Sequence, residues 1–596
     1  MKRRNVWRAA VVYAAGVWAF GQGLSQFSPA LRLPDWTTRW FLIAACIGFP
    51  FWIAFAWLYA WTPQGFRREE DVERDPALAR SNGRTLDFWI IGILTIAVVL
   101  LVTNQFVLHR DATSMANADD SKAVQAQLAK LPEQSVAVLP LANASDDPKQ
   151  QYFSDGLSEE LISDLTQVSG LKVIGKYSSF KFRDSKGSPA QIGATLGVAN
   201  LIQGSVRQRD GRIRIVVNLI RAKDGASVWS QSYDEPLKDV FAIQSKIGHA
   251  VAAALKVRLL GRTIVSDDRP PSGNVQAYQL MLQGRAIARR NTEAGFRQGA
   301  AMLRQALKFD PNYAYAWGAL SIVEINWGAE YPHGAARQQA YAEARKAADR
   351  ASMLAPDAAV THLVRSYVLS NLDGDQQGAL AECRRALFLA PNSGNAIQFL
   401  AAQHSILGQQ QQAVDLFRKA IATDPLRPDW YNNLSISLIA LGQLDQAEQA
   451  IHKTIALQSD YPGAYLSLAT IDVLRSDAAA ALRDAGMETE PASKAFAVAL
   501  AKQVSGNAKE ADAALQDYIA SDNKTQPYYV ADLYALRKQP NDMFDWLQRA
   551  QQTDALTLGT ILLSDPLLLR YKNDPRFAAL CKQLGLPVPA DAVATQ

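Results

Sequence analysis

Three glycines set the register of the C-terminal half of the chain. Gly374, Gly408 and Gly442 stand 34 residues apart, and so do Ala379, Ala413 and Ala447. Pro391 and Pro425 share that spacing, and Pro356 lies 35 before Pro391. A period of this length is one supersecondary unit that cannot bury its apolar face alone and must stack on copies of itself. Its internal pattern specifies two antiparallel helices, with glycine at the turn, alanine where the helices cross and proline at the next boundary. One unit spans 394–427, where Leu400, Ala401, Gly408, Ala413, Phe417, Ala420 and Pro425 fill the slots; its neighbours span 360–393 and 428–461. An earlier unit enters at "FDPNYAYAWGALS", where Trp317, Leu320 and Ser321 match. Pro311 and Pro356 are 45 apart, so eleven residues are inserted around "WGAEYPHGAARQ". Degenerate copies continue through 462–550.

Thirty-four is the tetratricopeptide period, and the array resembles that family. An all-α solenoid is expected over 275–590, and "SDPLLLRYKNDPRFAALCKQLGLP" resembles the helices that close such arrays. The resemblance implies that the first helix of each repeat lines a concave face. In this register the groove positions are Val364, Val368 and Asn371, then Gln398, Ala402, Ser405 and Ile406, then Asp429, Asn432, Ile436 and Ile439. The family's Lys/Asn/Arg clamp for C-terminal carboxylates is absent, and the groove reads as mixed to apolar. Two readings stand. Either a protein or peptide segment with hydrophobic side chains lies there, or these positions pack against a tight superhelix or the preceding domain.

That preceding domain is expected over 135–262, after a polar linker at 109–134. "SVAVLPL" reads as a strand, "SDGLSEELISDLTQV" as a helix capped by Ser154, and "LKVIG" as a second strand. "SPAQIGATLG" is a short helix. Three strands follow, with turns at "RDGR" and "KDGA", and "VFAIQSKIGHAVAAALKVRL" is an amphipathic helix. The result is a mixed-sheet α/β domain. It resembles the TolB-like N-terminal domain, related to FlgO-type proteins, through "SVAVLPLANASDDPKQQYFSDGLSEELISDL", "GLKVIGKYSSFKF", "GATLGVANLIQGSVRQRDGRIRIVVNLIRAKDGASVWSQSYD" and "DVFAIQSKI". The resemblance implies an assembly or envelope-interaction module and supplies no catalytic residues.

Gly170 to Lys176 also matches most of a phosphate-binding loop, G-x-x-x-x-G-K. Such a loop needs a flexible turn between strand and helix, and a Ser or Thr after the lysine to hold magnesium. Here the intervening Leu-Lys-Val-Ile is itself the strand, Tyr177 follows the lysine, and "YSSFKF" does not read as helix. Nucleotide binding is not expected.

Residues 1–108 are different in composition. Eight of the thirteen tryptophans precede residue 90. Apolar runs at 9–27, 40–61 and 88–108 read as three transmembrane helices, the first of them weak and open to a signal-peptide or interfacial reading. Trp36, Trp40, Trp57 and Trp61 bracket the second. Lys2, Arg3, Arg4 and Arg8 precede the first run, and Arg67, Arg68, Arg74, Arg80 and Arg84 follow the second. Their distribution orients the N-terminus inside a bacterial inner membrane and the C-terminal domains in the periplasm. "LPDWTTRWFLIAACIGFPFWIAFAWLYAWTPQGFRREEDV" resembles the membrane segment that precedes TolB-like and tetratricopeptide domains in many bacterial proteins. The expected fold class is therefore transmembrane α-helices, a mixed-sheet α/β domain and a repeat solenoid.

The chemistry-bearing residues are sparse. A formal charge of +5 over 596 residues does not suggest a nucleic-acid partner. The three cysteines, Cys46, Cys383 and Cys581, form no C-x-x-C. A Cys383–Cys581 disulfide and two packed thiols both fit, and the thiols are favoured. No H-E-x-x-H or G-x-S-x-G occurs among the sequence motifs. His404 and His452 fall in repeat helices and read as structural. Glu159 and Glu160 read as acids at a helix start, where the dipole favours them. The Arg pairs at 289–290 and 384–385 read as solvated faces. Proteins with this architecture often carry an added winged-helix, nucleotide cyclase or protein kinase unit, and the predicted cytoplasmic segments are too short for one. The expectation is a non-enzymatic, bilayer-anchored scaffold with no cofactor that binds protein partners. The alternative is a signalling subunit that relays a periplasmic event to a cytoplasmic effector through Arg67 and Arg68.

Overall fold

The computed structural model describes residues 124–589 apart from 169, 256–268, 291, 332–333 and 522–525, together with short stretches between 10 and 68. The chain forms two compact units, 1–123 and 124–596. In the first, the Tyr13 hydroxyl donates to the Ala45 carbonyl at 2.8 Å, and its ring sits 5.5 Å from Phe49. Strand β1 (Tyr59–Thr62) pairs antiparallel with β2 (Gly65–Arg68).

This hairpin corrects the membrane expectation. The run 40–61 does not continue as one helix to its end, because Tyr59, Ala60 and Trp61 are strand residues opposite Arg68, Arg67 and Phe66. Aromatic residues favour that pleated setting. Among the described residues no helix is long and apolar enough to cross a membrane. The run 88–108 and most of 9–27 lie outside the described residues. The multi-pass inner-membrane placement, the periplasmic location and the relay through the membrane lose their basis. Arg67 and Arg68, expected in a cytoplasmic loop, are strand residues. The linker reading holds at most for 109–123, which lies outside the described residues. Leu128 is already buried in the α/β core, and Gln127 Nε2 donates to the Ala194 carbonyl at 2.9 Å.

The second unit opens with a sheet of order β5-β3-β6-β7-β8, with β4 also paired to β6. Its strands are β3 (Ser135–Val138), β4 (Ala142–Asn143), β5 (Lys172–Ile174), β6 (Asn200–Arg209), β7 (Arg212–Arg221) and β8 (Ser227–Pro236). β5, β3 and β6 are parallel, and β6, β7 and β8 are antiparallel. Central β3 is buried along its length, as a strand covered on both faces must be. In β7, Ile213, Ile215, Val217 and Leu219 are fully buried and alternate with more exposed positions. The β6–β7 turn places Asp210 and Gly211 at φ 49° and 73°, the two positive φ values that "DG" favours.

Helices α1 (Gln151–Thr166) and α4 (Val240–Ala254) cover one face. Short α2 (Lys176–Phe180) follows β5, and α3 (Pro189–Leu196) covers the other face. α3 carries a capping box between Ser188 and Gln191. Two readings of the sequence are corrected here. Residues 176–180 are helical, and α1 starts three residues before Ser154, which is buried inside it.

Among the described residues eight antiparallel helix pairs follow. They are α5 (Val275–Ala288) with α6 (Glu293–Phe309), α7 (Ala314–Glu330) with α8 (Gly334–Leu354), and α9 (Ala359–Val368, continued by a π turn) with α10 (Gln376–Leu389). Next come α11 (Gly394–Ile406) with α12 (Gln410–Thr423), α13 (Pro428–Ala440) with α14 (Leu444–Leu457), and α15 (Ala464–Leu474) with α16 (Ala478–Met487). The last are α17 (Pro491–Lys502) with α18 (Ala508–Ala520), and α19 (Pro527–Leu536) with α20 (Pro540–Ile561), which breaks at Asp554 (φ −154°, ψ 73°), before a closing α21 (Pro575–Gln583). Gly374, Gly408 and Gly442 take φ of 69°, 76° and 71° at the intra-pair turns, a left-handed conformation that glycine adopts without strain. Ala379, Ala413 and Ala447 are fully buried at the crossings. The inserted residues lengthen α7 and α8 to 17 and 21 residues.

The cores show how the solenoid is held. One runs unbroken from the sheet into the first helix pairs and joins Val136, Leu157 and Ile247 to Tyr278, Met281 and Leu303. A second joins Leu558, Leu562 and Leu563 to Leu380, Leu400 and Leu407, so the C-terminal pairs pack back on the middle ones. Gln410 Nε2 donates to the Leu563 carbonyl at 2.9 Å across that contact.

Candidate binding cleft

The phosphate-loop resemblance marks the right place for another reason. β5 ends at Ile174, Gly175 turns, and α2 begins at Lys176 with no side-chain cap of its own. The loop after α12 docks there. Gly175 N–H donates to the Thr423 carbonyl at 2.7 Å, Ser178 N–H donates to Asp424 Oδ1 at 2.7 Å, and Leu426 N–H donates to Ser178 Oγ at 2.8 Å. Asp424 thus caps a helix 246 residues away in sequence. A Cβ on Gly175 would lie 2.5 Å from Asp424 Oδ2, so the glycine is required by close approach. The Gly175 and Ser178 N–H groups are thus bonded to the solenoid. Burial pushes the Asp424 carboxyl above its ordinary range, against the opposing effect of the Ser178 bonds.

Glu159 organises the other end. It lies in the middle of α1, not at its start, so the dipole explanation does not apply. Arg289, at the C-cap of α5, grips it with two bonds of 2.8 and 2.7 Å, Arg285 approaches to 3.5 Å, and Lys176 also donates to it. Burial alone would raise the Glu159 carboxyl, but Arg289, Arg285 and Lys176 outweigh it and hold the group well below the usual range. Lys176 is pushed down to about 7, first by burial, with Glu159 opposing and the two arginines adding repulsion. Arg289, expected to be a solvated face residue, is therefore part of an ion cluster.

Between the two ends lies a cleft of about 750 Å³. Ile162, Val173, Val360, Leu363 and Leu389 form apolar wall, and Ser163, Asn392 and Asn395 add neutral polar groups. At the docked end Arg427 lies over the Trp430 and Tyr177 rings, at 4.6 and 5.7 Å, and pairs with Asp429.

The groove positions read from the repeat register lie elsewhere. Val364, Val368 and Ile439 are buried in the cores. Asn371 and Ile436 are exposed, and Gln398, Ala402, Ser405, Ile406, Asp429 and Asn432 are half-buried. Ile406 packs against the returning C-terminal core, and Ser405 Oγ accepts from Ser437 Oγ at 3.1 Å. The cleft-lining cluster of Glu159, Lys176, Arg285 and Arg289 was missed because the pairing joins positions up to 130 apart with no local signal. Cys383 and Cys581 are both free and buried. Among the described residues no group of His, Cys, Asp and Glu could hold a metal ion.

Comparison with known proteins agrees with the repeat architecture. The tetratricopeptide repeat family model matches residues 407–470, and the C-terminal region carries these repeats. A protein of Rhizobium meliloti (strain 1021) named "Putative adenylate cyclase 3" is 37% identical over 194 residues, which is 32% of this chain and 32% of that protein. The chain thus spans about a third of the length of this curated relative. Among solved structures, PilW, titled a widely conserved type IV pilus biogenesis factor, is similar at 19% identity over 36% of this chain and 92% of its own, with a TM-score of 0.31. Pseudomonas aeruginosa pilF is similar at 16% identity over 34% of this chain and 93% of its own, with a TM-score of 0.28.

Proposed function

We propose that this protein is a non-enzymatic adaptor that holds a segment of a protein partner between its repeat helices and its α/β domain. The repeats supply a protein-interaction scaffold. The observation that carries the finer reading is the cleft itself, walled by α1 and the β5–α2 turn on one side and by α5, α7 and α9 on the other. Its apolar walls and scattered neutral polar groups suit a peptide segment. The TolB-like resemblance of the α/β domain favours an assembly role. The exposed positions Asn371 and Ile436 lie outside the cleft lining and are proposed as a second point of contact on the repeats.

The test is site-specific photo-crosslinking of the full chain in cells that make it. Probes go at Asn395, Asn371 and Ile436, with exposed Gln411 on a second helix as the control. Adducts with one protein at the first-helix positions and none at Gln411 are expected. No adduct at any position, or equal labelling at Gln411, would sink the reading.

A further inference from the structure

The two edges of the α/β sheet are finished differently. β5 is three residues long, and the Gly175 N–H just beyond it donates to the Thr423 carbonyl of the solenoid at 2.7 Å. β8 is ten residues long and ends the sheet on the other side; among the described residues no strand pairs with its outer edge. An open edge of that length is a template for another strand, and a protein that keeps one free guards it with lysine, proline, a bulge or a covering segment. The guards on β8 stand at its ends. Pairing with β7 runs without a break from Leu219–Trp229 to Arg212–Pro236, and its one irregularity skips Val228. Pro236 is the last residue of the strand, and the charge of Asp234 is answered by Arg212 at 2.8 Å and Arg214 at 3.3 Å. Between these ends Ser230, Gln231 and Ser232 are exposed and uncharged.

The strand is also complementary to itself. With a two-fold axis at Gln231, antiparallel pairing sets Trp229 of one copy opposite Tyr233 of the other, twice over, and Ser230 opposite Ser232. Trp229 and Tyr233 share the face that packs on the core beneath α1 and α4, and both are only half-buried there. Cross-strand aromatic pairs stabilise a sheet. Moving the axis by one residue sets Gln231 opposite Trp229 or Tyr233 and loses both aromatic pairs. Asp234 and Glu235 fall opposite Val228 and Ser227, so no charge meets a like charge.

We propose that β8 pairs antiparallel with β8 of a second copy of this chain, about a two-fold axis at Gln231, so that the sheet continues from one copy into the next. The pairing does not involve the cleft and stands whether or not a peptide lies there.

The test reads the oligomeric state of the full chain by light scattering and the register by cysteine cross-linking. A concentration-dependent dimer is expected. In a Cys46→Ser background, where Cys383 and Cys581 are buried, Gln231→Cys should form a disulfide between copies on mild oxidation, because the residue meets itself at the axis. Ser227→Cys, also exposed on β8, would stand about 26 Å from its copy at ~3.3 Å per residue and should not cross-link. Gln231→Lys sets two ammonium groups opposite each other and should raise the dimer dissociation constant about fivefold. Gln231 is exposed, so neither substitution there disturbs the core. Equal cross-linking at 231 and 227 would show association without this register and overturn the proposal. So would a dimer that Gln231→Lys leaves unchanged. A chain that stays monomeric at tens of micromolar would overturn it too, and a photo-probe at Gln231 that then labelled a different protein in cells would assign the edge to a partner's strand.

Discussion

The α/β domain meets the solenoid twice, and the two seams are built from different physics. The first is apolar. Phe153 and Leu157 of α1 share a core with Tyr278 and Met281 of α5, and the Phe153 and Tyr278 rings meet edge-on at 6.2 Å. Gly156 lets Leu282 come so close that a Cβ would lie 2.3 Å from it. The second seam is mostly polar: a handful of hydrogen bonds between Gly175–Ser178 and Thr423–Leu426, Arg427 over the Tyr177 ring, and one apolar side chain, Leu426, against the α/β core. Apolar burial makes the first seam part of folding itself. Each bond of the second contributes about 1 kcal/mol net, so that seam can open while the domain stays folded. The cleft lies between them.

The largest effect is expected at the apolar seam. Tyr278→Ala removes a fully buried ring whose hydroxyl accepts from Gln244 Nε2 at 3.2 Å. It should cost about 3–5 kcal/mol, read as a fall in the denaturant midpoint of the full chain. A loss below about 1 kcal/mol would show that the shared core does not couple the domains.

Asp424→Ala comes next. It leaves α2 uncapped and should cost about 1 kcal/mol. Hydrogen exchange should quicken at 175–180 and stay slow at 278–282. Asp424→Asn should keep most of the protection, since its amide oxygen still accepts from Ser178. Equal exchange in Asp424→Ala and the unaltered chain would refute the capping role.

Acid separates the two ends of the cleft by sign. Glu159 is held below its ordinary 4.5, so its stabilisation is complete above that pH and is lost as pH falls further. Asp424 is raised above its ordinary 3.8, so the folded state holds that proton more tightly and stability falls as pH rises through the range above 3.8. On acidification from pH 5 the α1–α5 end should therefore loosen while 175–178 stays protected. Lys176 titrates in the opposite range. Lowered from 10.5 to about 7, it should let stability rise as pH climbs between those values, and Lys176→Met should flatten that slope. Side-chain NMR of Lys176 would check it; a titration near 10.5 would remove the crowding argument.

What could be read from the sequence tracks how local each cause is. The helix pairs at 360–461 follow from one glycine per turn and one alanine per crossing, and the β6–β7 hairpin from "RDGR". Those signals act within a few residues. The docking of Asp424 on Gly175 and the grip of Arg289 on Glu159 join distant segments through the curvature of the superhelix, which no local pattern encodes. The glycine and lysine at 175 and 176 did carry a signal, but one that reads equally well as a phosphate loop. The run 40–61 misled because apolar composition alone does not distinguish a spanning helix from one that gives way to a hairpin of aromatic residues.

The degenerate repeats offer the smallest change and a control remote from both seams. Ser476 stands 34 residues after Gly442 and keeps the left-handed turn at φ 62°, as Lys538 does at φ 58°. A side chain there strains the backbone, by about 1–2 kcal/mol against a Cβ-free residue. Glycine relieves the strain but adds unfolded-state entropy, leaving a net gain of about 0.5–1 kcal/mol. Ser476→Gly should therefore raise the melting temperature slightly and leave exchange at 175–180 and the Lys176 titration unchanged. If the same substitution also slowed exchange at 175–180, the weak seam would be coupled to the whole superhelix, and the contrast between a folded-in seam and an openable one would have to be given up.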